Sequence, residues 1–230
     1  MGEAKQVPVI TLDGPSGTGK GTISLLLAQK LGWHYLDSGA IYRVFAYGTL
    51  QNHIDSTDLS QLVSLAKKLP LRFVINEAGE QQVFYEQTDV TSAIRTPTCS
   101  QKASELAAIP EVRSALLQRQ RDFATPPGLV TDGRDMGTVV FPDAFLKIYM
   151  DASADERAKR RYLQLQSSEK NASLAQVIKE IKERDKRDRE RSVAPLKPAE
   201  NSVIIDTTSL TIVQVLSIVL QLVEKQLDNR

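Results

Sequence analysis

A glycine-rich stretch near the start of the chain limits the possible folds more than any other feature. Val9, Ile10 and Leu12 form a short apolar run of strand length, and Gly14 to Lys20 follow with the spacing G-x-x-x-x-G-K. The segment ISLLLAQKL comes directly afterwards and favours a helix. The order of strand, glycine-rich loop and helix is the context in which this spacing predicts a phosphate-binding loop.

The glycines of this loop allow a backbone that other residues avoid. Because they carry no β-carbon, they can adopt positive φ and turn successive N–H groups toward an anion at the helix N-terminus. Lys20 adds a point charge that can follow a phosphoryl group in transfer. The residues expected to hold a polyphosphate are Gly14, Pro15, Ser16, Gly17, Thr18, Gly19, Lys20, Gly21 and Thr22.

One position departs from the usual motif, in which Ser or Thr directly follows the lysine. Here Gly21 intervenes and the hydroxyl comes one residue later, at Thr22. We therefore expect Thr22 to supply the hydroxyl on the metal side. An ordinary glycine-rich turn between a strand and a helix is the alternative.

Composition excludes several classes of protein. Lys and Arg total 29 against 28 Asp and Glu, so the net charge gives no reason to expect a nucleic-acid or membrane-surface partner. Cys99 is the only cysteine, which excludes an internal disulfide and fits a reducing compartment. With no apolar run of signal-peptide or bilayer-spanning length, we expect a cytoplasmic enzyme.

The rest of the chain alternates strand and helix patterns. About five short core strands separated by helices predict an α/β fold, with a parallel sheet covered by helices on both faces. Residues 71–76 and 81–87, joined by a turn at 77–80, predict an antiparallel hairpin, with a possible third strand at 88–91. We interpret this hairpin as a small inserted subdomain.

Several helices are placed by local signals. Ser38 is expected to cap a helix that contains Arg43, and Ser104 and Arg113 have the pattern of surface residues on two later helices. The polar stretch from Gln166 to Ser173 is predicted to be a loop, followed by a charged helix over residues 174–192.

Asp132 is the best candidate for a metal ligand. It follows a short buried strand, and an acidic residue at the carboxyl end of a parallel strand beside a phosphate loop is suited to Mg²⁺ bound through water. Arg134 and Asp135 lie in the same segment, at the sheet edge where ligands bind in such folds. The alternative is a polar β-turn, which Asp-Gly alone would support.

Arginines from separate segments could bind phosphate. One helical face carries Arg184, Arg187, Asp188 and Arg191, and its three guanidinium groups would repel one another without phosphates or carboxylates between them. A solvated, salt-bridged helix is the alternative, and Arg43 is equally compatible with a phosphate ligand or a solvated arginine. Together these residues predict a site for two phosphorylated ligands; a phosphate acceptor needs no catalytic base, because its second pKa is about 6.

The chain resembles bacterial cytidylate kinases, in the long form with an inserted NMP-binding subdomain. The resemblance runs from about Val7 to the last helix, through the motifs GPSGTGKGT, LDSGAIYR, IRTP, DGRDMGTVVFPDA, KIYMDAS, RAKRR and ERDKRDRERSVAPL. It implies transfer of a phosphoryl group from ATP, with Mg²⁺, to CMP or dCMP. It also implies a single domain over 1–230, with a core (5–37, 95–156 and 195–230), an NMP-binding region (38–94) and a lid (about 157–194).

The resemblance also implies roles for individual residues. Ser38, Ser104, Arg113 and Asp135 occupy positions around cytosine, and Arg43 and Arg134 match ligands of the CMP phosphate. Arg184 and Asp188 match ribose contacts, Arg191 reaches toward the cytosine or the phosphates, and Arg157 and Arg161 belong to the lid beside ATP. The positive charges of Lys20, Arg134, Arg184 and Arg191 would act in catalysis, with Thr22 and Asp132 on the metal side.

Other functions stay open at this point. Another small-molecule kinase of the same loop class, for UMP, AMP or shikimate, is the nearest rival. A nucleotide-dependent switch or an RNA-binding module is less favoured, because the chain has no N-K-x-D element and its basic helix is interleaved with acids and lacks stacking aromatics. We expect a monomer acting on small molecules, without nucleic-acid or membrane partners.

Overall fold

The structure is a computed structural model that describes residues 7–76, 78, 80–168 and 173–228. The described residues form two compact units. The first contains the chain up to Leu36 and from Phe123 onward, and the second is Asp37–Asp122. The finer division into core, NMP-binding region and lid stays a prediction.

In chain order, the helices and strands are β1 (Val9–Asp13), α1 (Lys20–Leu31), β2 (His34–Asp37), α2 (Ser38–Gln51), α3 (Leu59–Lys68), β3 (Leu71–Ile75), β4 (Gln81–Tyr85), β5 (Thr88–Asp89), α4 (Pro97–Leu106), α5 (Pro110–Arg121), β6 (Leu129–Gly133), β7 (Leu146–Asp151), α6 (Ala154–Ser168), α7 (Leu174–Glu190), β8 (Val203–Asp206) and α8 (Ile212–Asp228). A short 3₁₀ turn covers Ala93–Arg95, and a π-helix covers Met136–Val140.

A five-stranded sheet organises the first unit, with strand order β2-β6-β1-β7-β8. The central strand β1 is parallel to β6, with Asp13 beside Gly133, and parallel to β7, with Asp13 beside Tyr149. β7 is in turn parallel to β8. The predicted α/β fold with a parallel sheet is therefore confirmed, and the carboxyl ends of these strands share one edge.

The core of this unit lies between the sheet and two helices. Apolar side chains of β1, β6, β7 and β8 pack with those of α1 and α8, and all five residues of β1 are buried. The buried members of this cluster are Ile10, Leu12, Ile23, Leu27, Ala28, Val130, Leu146, Ile148, Met150, Ile205, Val215, Val219 and Val223. A strand buried on both faces reads as a continuous apolar run, which is why β1 was visible in the sequence.

The second unit combines helices with a small antiparallel sheet. Its strands have the order β3-β4-β5, with Leu71 opposite Tyr85 and Tyr85 opposite Thr88. The predicted hairpin and its third strand are confirmed. Of the predicted turn, Glu77 and Gly79 lie outside the described residues.

Two local predictions were wrong. The cap of α2 is Asp37 rather than Ser38, because the Asp37 carboxylate accepts the N–H of Ala40 at 2.9 Å. The helix α6 continues to Ser168, so the predicted loop at 166–173 begins later; residues 169–172 lie outside the described residues. The π-helix that begins directly after Asp135 was not predicted.

No helix within the described ranges is long and apolar enough to cross a membrane.

Two valines of α8 provide a test of this core. Val219 is 0% exposed, whereas Val213 is 77% exposed. We expect Val219→Ala to lower the free energy of unfolding by about 1.5–3 kcal/mol, since it removes buried methyl groups and leaves a cavity. Val213→Ala, matched in chemistry and helix, should change it by less than about 0.5 kcal/mol. Urea denaturation measures both, and equal effects would contradict the packing of α8 on the sheet.

Candidate active site

The loop after β1 has the backbone that anion binding requires. Gly14, Gly17 and Gly19 have positive φ angles of 149°, 84° and 88°. A β-carbon on Gly14 would lie 2.0 Å from the carbonyl oxygen of Met150, and one on Gly17 would lie 2.8 Å from that of Arg157. Because backbone atoms cannot move aside, glycine is required at both positions.

The loop leads directly into the N-terminus of α1. Gly19 is the N-cap residue and Lys20 is the first residue of the helix. Lys20 is 8% exposed, and its Nζ donates a hydrogen bond of 3.0 Å to the carbonyl oxygen of Pro15. Thr18 donates its hydroxyl to the same carbonyl at 3.2 Å. The ammonium group is therefore held over the loop, beside the N–H groups of the first helical turn.

Ser16 connects the loop to two arginines from other segments. Its Oγ accepts a hydrogen bond of 2.8 Å from Nη2 of Arg134, which follows β6. Its carbonyl oxygen accepts one of 3.2 Å from Nη1 of Arg157 on α6. Reasoning from the sequence placed Ser16 in the loop but gave no sign of this junction.

Three of the predicted arginines lie near Asp188 on α7. Its Oδ2 accepts a hydrogen bond of 2.7 Å from Nε of Arg134 and lies 4.0 Å from Nε of Arg184. Although burial raises the pKa of Asp188, the charges of Arg134, Arg184 and Arg191 outweigh burial and hold it below its ordinary value. Arg191 also donates to the carbonyl oxygen of Ala194 at 2.8 Å. The structure thus brings together the residues predicted from two distant segments.

A second ion pair ties α6 to α7. Arg157 is 3% exposed and makes two hydrogen bonds to Asp185, of 3.1 and 2.6 Å, and a third of 3.0 Å to the carbonyl oxygen of Ala152. Sequence analysis assigned Arg157 to the lid and missed Asp185, its partner. Arg161, the other residue predicted for the lid, is half-buried on α6.

A cavity of about 480 Å³ opens beside this pair, between the start of α6 and one face of α7. Its charged lining residues are Asp151, Arg157, Lys182, Asp185, Lys186, Arg189 and Glu190. Four basic and three acidic side chains nearly balance, so the charge of the cavity does not by itself indicate a phosphate ligand.

Asp132 lies near the end of β6, close to the phosphate loop. It is 6% exposed, and its Oδ1 accepts the hydroxyl of Tyr35 at 2.8 Å. A β-carbon on Gly21 would lie 3.8 Å from the same oxygen, whereas Thr22 is exposed in the first turn of α1. The described residues contain no group of three or more His, Cys, Asp or Glu side chains that could hold a metal ion alone.

Asp13 was not singled out from the sequence, yet it is a prominent feature of this edge. It is 2% exposed, and its two oxygens accept the N–H groups of Met136 and Gly137 at 2.9 and 2.8 Å. Burial raises the pKa of Asp13 to about 6, and the two N–H donors oppose this shift. The available signal was its position directly before Gly14, at the end of a buried strand.

In the second unit, Arg43 folds back along α2. Its Nη2 makes a contact of 2.6 Å with Oδ2 of Asp37, the residue that caps the helix. Ser38, the first helical residue, is buried and donates its hydroxyl to Oε1 of Gln120 at 2.7 Å. Cys99 of α4 is buried, and burial raises the pKa of its thiol, as expected of a packing residue.

Ser104 and Arg113 are not the surface residues that their pattern predicted. They are 6% and 7% exposed. Arg113 donates to the carbonyl oxygen of Ala107 at 3.2 Å, and its guanidinium lies 5.5 Å from the ring centre of Tyr42. The Ser104 hydroxyl has no hydrogen-bond partner among the described residues. The apolar neighbours Ala103 and Leu106 were the available sign of a buried helix face.

The ion pair at Asp188 makes stability depend on pH. Because its pKa is lower in the folded than in the unfolded protein, its contribution is present above about pH 4 and lost as the pH falls through the folded pKa. We expect Asp188→Asn to lower the free energy of unfolding by about 3 kcal/mol at pH 7, leaving buried arginine charge unpaired, and by less at pH 3. The measurement is urea denaturation at several pH values.

The control for this experiment is Asp228→Asn, at an exposed position at the end of α8. It should shift the unfolding free energy by less than about 0.5 kcal/mol throughout. The difference in unfolding free energy between the wild type and Asp188→Asn could also stay constant from pH 7 to pH 3. In that case charge pairing is not the source of the difference.

Comparisons with known proteins agree with this geometry. The sequence profile described as cytidylate kinase matches residues 10–225. The cytidylate kinase of Proteus mirabilis is 56% identical over 91% of this chain and 93% of its own length, and that of Stutzerimonas stutzeri is 54% identical over 94% and 95%. A crystal structure of an uncharacterised protein from Eubacterium ventriosum shares the fold, with a TM-score of 0.51 and 10% identity over 96% of this chain and 99% of that one. The chain belongs to the cytidylate kinase family.

Proposed function

We propose that the protein transfers a phosphoryl group from ATP to CMP or dCMP, giving ADP and CDP or dCDP. The observation that carries this proposal is similarity, over more than nine-tenths of the chain, to proteins named cytidylate kinase. The phosphate loop, with three glycines at positive φ beside Lys20, supports the same reaction.

The donor phosphates would be bound by the loop from Gly14 to Thr22. Its N–H groups and the N-terminus of α1 favour anions, and Lys20 can follow the transferred group. Arg134, Arg184 and Arg191 would neutralise charge that develops during transfer, with Arg157 and Arg161 on the side of ATP. Phosphoryl transfer depends mainly on such positioning and charge stabilisation.

The residues present fit a magnesium ion shared with the phosphates. Mg²⁺ in such sites takes one or two carboxylates together with phosphate oxygens and water. Asp132 supplies a buried carboxylate next to Gly21, and Thr22 offers a hydroxyl in the same turn of α1. Asp132 and Thr22 would hold the ion, which would supply positive charge that offsets the negative charge of the phosphates.

The acceptor would be bound by arginine, aspartate and serine side chains. We assign the CMP phosphate to Arg43 and Arg134, and the ribose to Arg184 and Asp188, with Arg191 reaching toward the cytosine or the phosphates. The residues assigned to the cytosine ring are Ser38, Ser104, Arg113 and Asp135. The unpaired hydroxyl of buried Ser104 supports this assignment, because a buried polar group is ordinarily hydrogen-bonded.

Two of these arginines form ion pairs with carboxylates in the structure. Arg43 pairs with Asp37, and Arg134 pairs with Asp188. Phosphate oxygens, like carboxylate oxygens, are negatively charged and can accept paired hydrogen bonds from a guanidinium group, so a bound phosphate could take the place of these carboxylates. No general base is needed, since the acceptor phosphate is largely ionised at neutral pH, with a second pKa of about 6.

We further propose that the enzyme works as a monomer in the cytoplasm on small molecules, without a nucleic-acid or membrane partner. The nearly equal numbers of basic and acidic residues, 29 and 28, give no reason to expect a nucleic-acid or membrane-surface partner.

The test of function is ADP release from ATP with CMP, dCMP, UMP, AMP and shikimate offered separately, with and without Mg²⁺. We expect strong, Mg²⁺-dependent turnover with CMP and dCMP. Lys20→Ala should lower kcat at least about 100-fold, because the moving phosphoryl group loses a charge partner. Lys30→Ala, an exposed lysine of the same helix, is the control and should leave kcat unchanged.

The outcomes separate the loop from the acceptor. Turnover with UMP, AMP or shikimate in place of CMP would support phosphoryl transfer from ATP but contradict the proposal that CMP is the acceptor. Activity of Lys20→Ala within tenfold of the parent would remove Lys20 from the mechanism.

A second experiment addresses the unpaired hydroxyl. Ser104→Ala removes a buried polar group without a partner, so stability should not fall. We expect the KM for CMP to rise about tenfold, as for the loss of one hydrogen bond to ligand, with the KM for ATP unchanged. Steady-state kinetics and thermal unfolding measure the two effects.

Ser24→Ala is the matched control, because Ser24 also carries a buried hydroxyl without a partner among the described residues, in the apolar surroundings of α1. It should leave both KM values unchanged. If the two variants behave alike, Ser104 does not contact the acceptor.

A further inference from the structure

The segment that follows β6 carries two residues assigned to the acceptor, Arg134 and Asp135. Its position is set partly by the neighbouring strand, because β1 ends with Asp13 beside Gly133. The side chain of Asp13 therefore lies next to the point where this segment leaves the sheet.

Both carboxylate oxygens of Asp13 are used by this segment. Oδ1 accepts the N–H of Met136 at 2.9 Å, and Oδ2 accepts that of Gly137 at 2.8 Å. These donors are the first two residues of the π-helix, directly after Asp135. Two hydrogen bonds from consecutive residues to one buried side chain fix the backbone there in both position and direction.

The atoms around these hydrogen bonds are closely packed. A β-carbon on Gly137 would lie 2.9 Å from Oγ1 of Thr11 and 3.4 Å from Oδ2 of Asp13. Asp13 itself is 2% exposed, so water cannot easily replace either N–H donor. A shift of the segment would therefore break contacts that have no ready substitute.

We propose that Asp13 is a positioning residue for the acceptor nucleotide: by receiving the N–H groups of Met136 and Gly137, its carboxylate holds Arg134 and Asp135 in their binding positions. Asp13 lies beneath the segment and acts through it rather than on the substrate. This inference rests on the proposed function, because the acceptor roles of Arg134 and Asp135 belong to it.

The charge of Asp13 gives the inference a distinctive readout. Burial raises its pKa to about 6; the N–H donors and Lys20 lower the pKa, while Asp135 raises it, and Tyr149 of β7 also faces it. Above this pKa both oxygens accept fully. Below it, one oxygen becomes a hydroxyl and accepts weakly. The hydrogen bonds that position the segment therefore weaken as the pH falls.

The main experiment compares the wild type with Asp13→Asn. Asparagine keeps one acceptor oxygen but turns an NH₂ group toward the other N–H donor. We expect the KM for CMP to rise about tenfold, with the KM for ATP changed by less than twofold. Asp206→Asn is the control; Asp206 is a strand-end aspartate that also accepts a backbone N–H, that of Thr208, but on the exposed outer strand β8. It should change neither KM.

The pH profile distinguishes positioning from general damage. The ratio of kcat/KM for CMP between wild type and Asp13→Asn should fall toward one as the pH drops from 7.5 to 5. The phosphate of CMP titrates near pH 6 as well, but it does so equally with both enzymes and cancels in the ratio. Equal rises in both KM values, or a ratio that does not change with pH, would overturn the inference.

Gly137→Ala perturbs the same contact at the N–H donor instead of the acceptor. This variant replaces Asp13→Asn if Asp13→Asn does not fold. It should raise the KM for CMP more than that for ATP while keeping the carboxylate; equal changes, or none, would overturn the inference. A wild type without CMP turnover would instead overturn the proposed function and, with it, an acceptor role for Asp13. An active wild type with an unaffected Asp13→Asn would overturn the inference alone.

Discussion

The approach of Gly14 to the backbone of β7 is the constraint on which the site depends. With only 2.0 Å between a would-be β-carbon and the carbonyl oxygen of Met150, the chain can leave β1 at this point only as glycine with positive φ. This exit directs residues 15–19 over the carboxyl ends of the strands and places the N-terminus of α1 beside them. Ser16 is then within reach of Arg134 and Arg157, which belong to segments more than a hundred residues away.

The two arginines that contact Ser16 are held by carboxylates of a single helix. Asp185 and Asp188 lie three residues apart on α7, and each binds an arginine that also contacts Ser16. Buried ion pairs gain little net stability because both charges lose water, but their loss leaves unpaired charge. Their effect here is geometric, because they hold both guanidinium groups against Ser16 of the glycine-rich loop. The position of α7 and the order of the loop are thereby linked through the same two arginines.

The parts of this structure that the sequence predicted are those set by local pattern. The burial of β1, the glycine spacing and the hairpin of β3 and β4 follow from composition within a few residues, and Asp132 was found because strand ends meet at one edge. The partners were not visible, since Asp13, Tyr35 and Asp185 acquire their roles only through contacts distant in sequence. Ser104 and Arg113 were misassigned to the surface because polar side chains on a helix are ordinarily solvated. The π-helix was missed because its first N–H groups are bound by Asp13 and not by a local cap.

An edge proposed to bind phosphates would not be expected to carry many carboxylates, yet each of the five parallel strands has an aspartate at its end or one residue before it. Their hydrogen bonds explain how this is tolerated. Asp13, Asp37, Asp151 and Asp206 accept backbone N–H groups that begin the segments leaving the sheet, and Asp37 also binds Arg43. These carboxylates therefore position the loops, and their negative charge is compensated by the backbone N–H groups and, for Asp37, by Arg43. Asp132 differs from them, since its Oδ1 accepts the side-chain hydroxyl of Tyr35 and it lies beside Gly21, which is consistent with the metal role proposed for it.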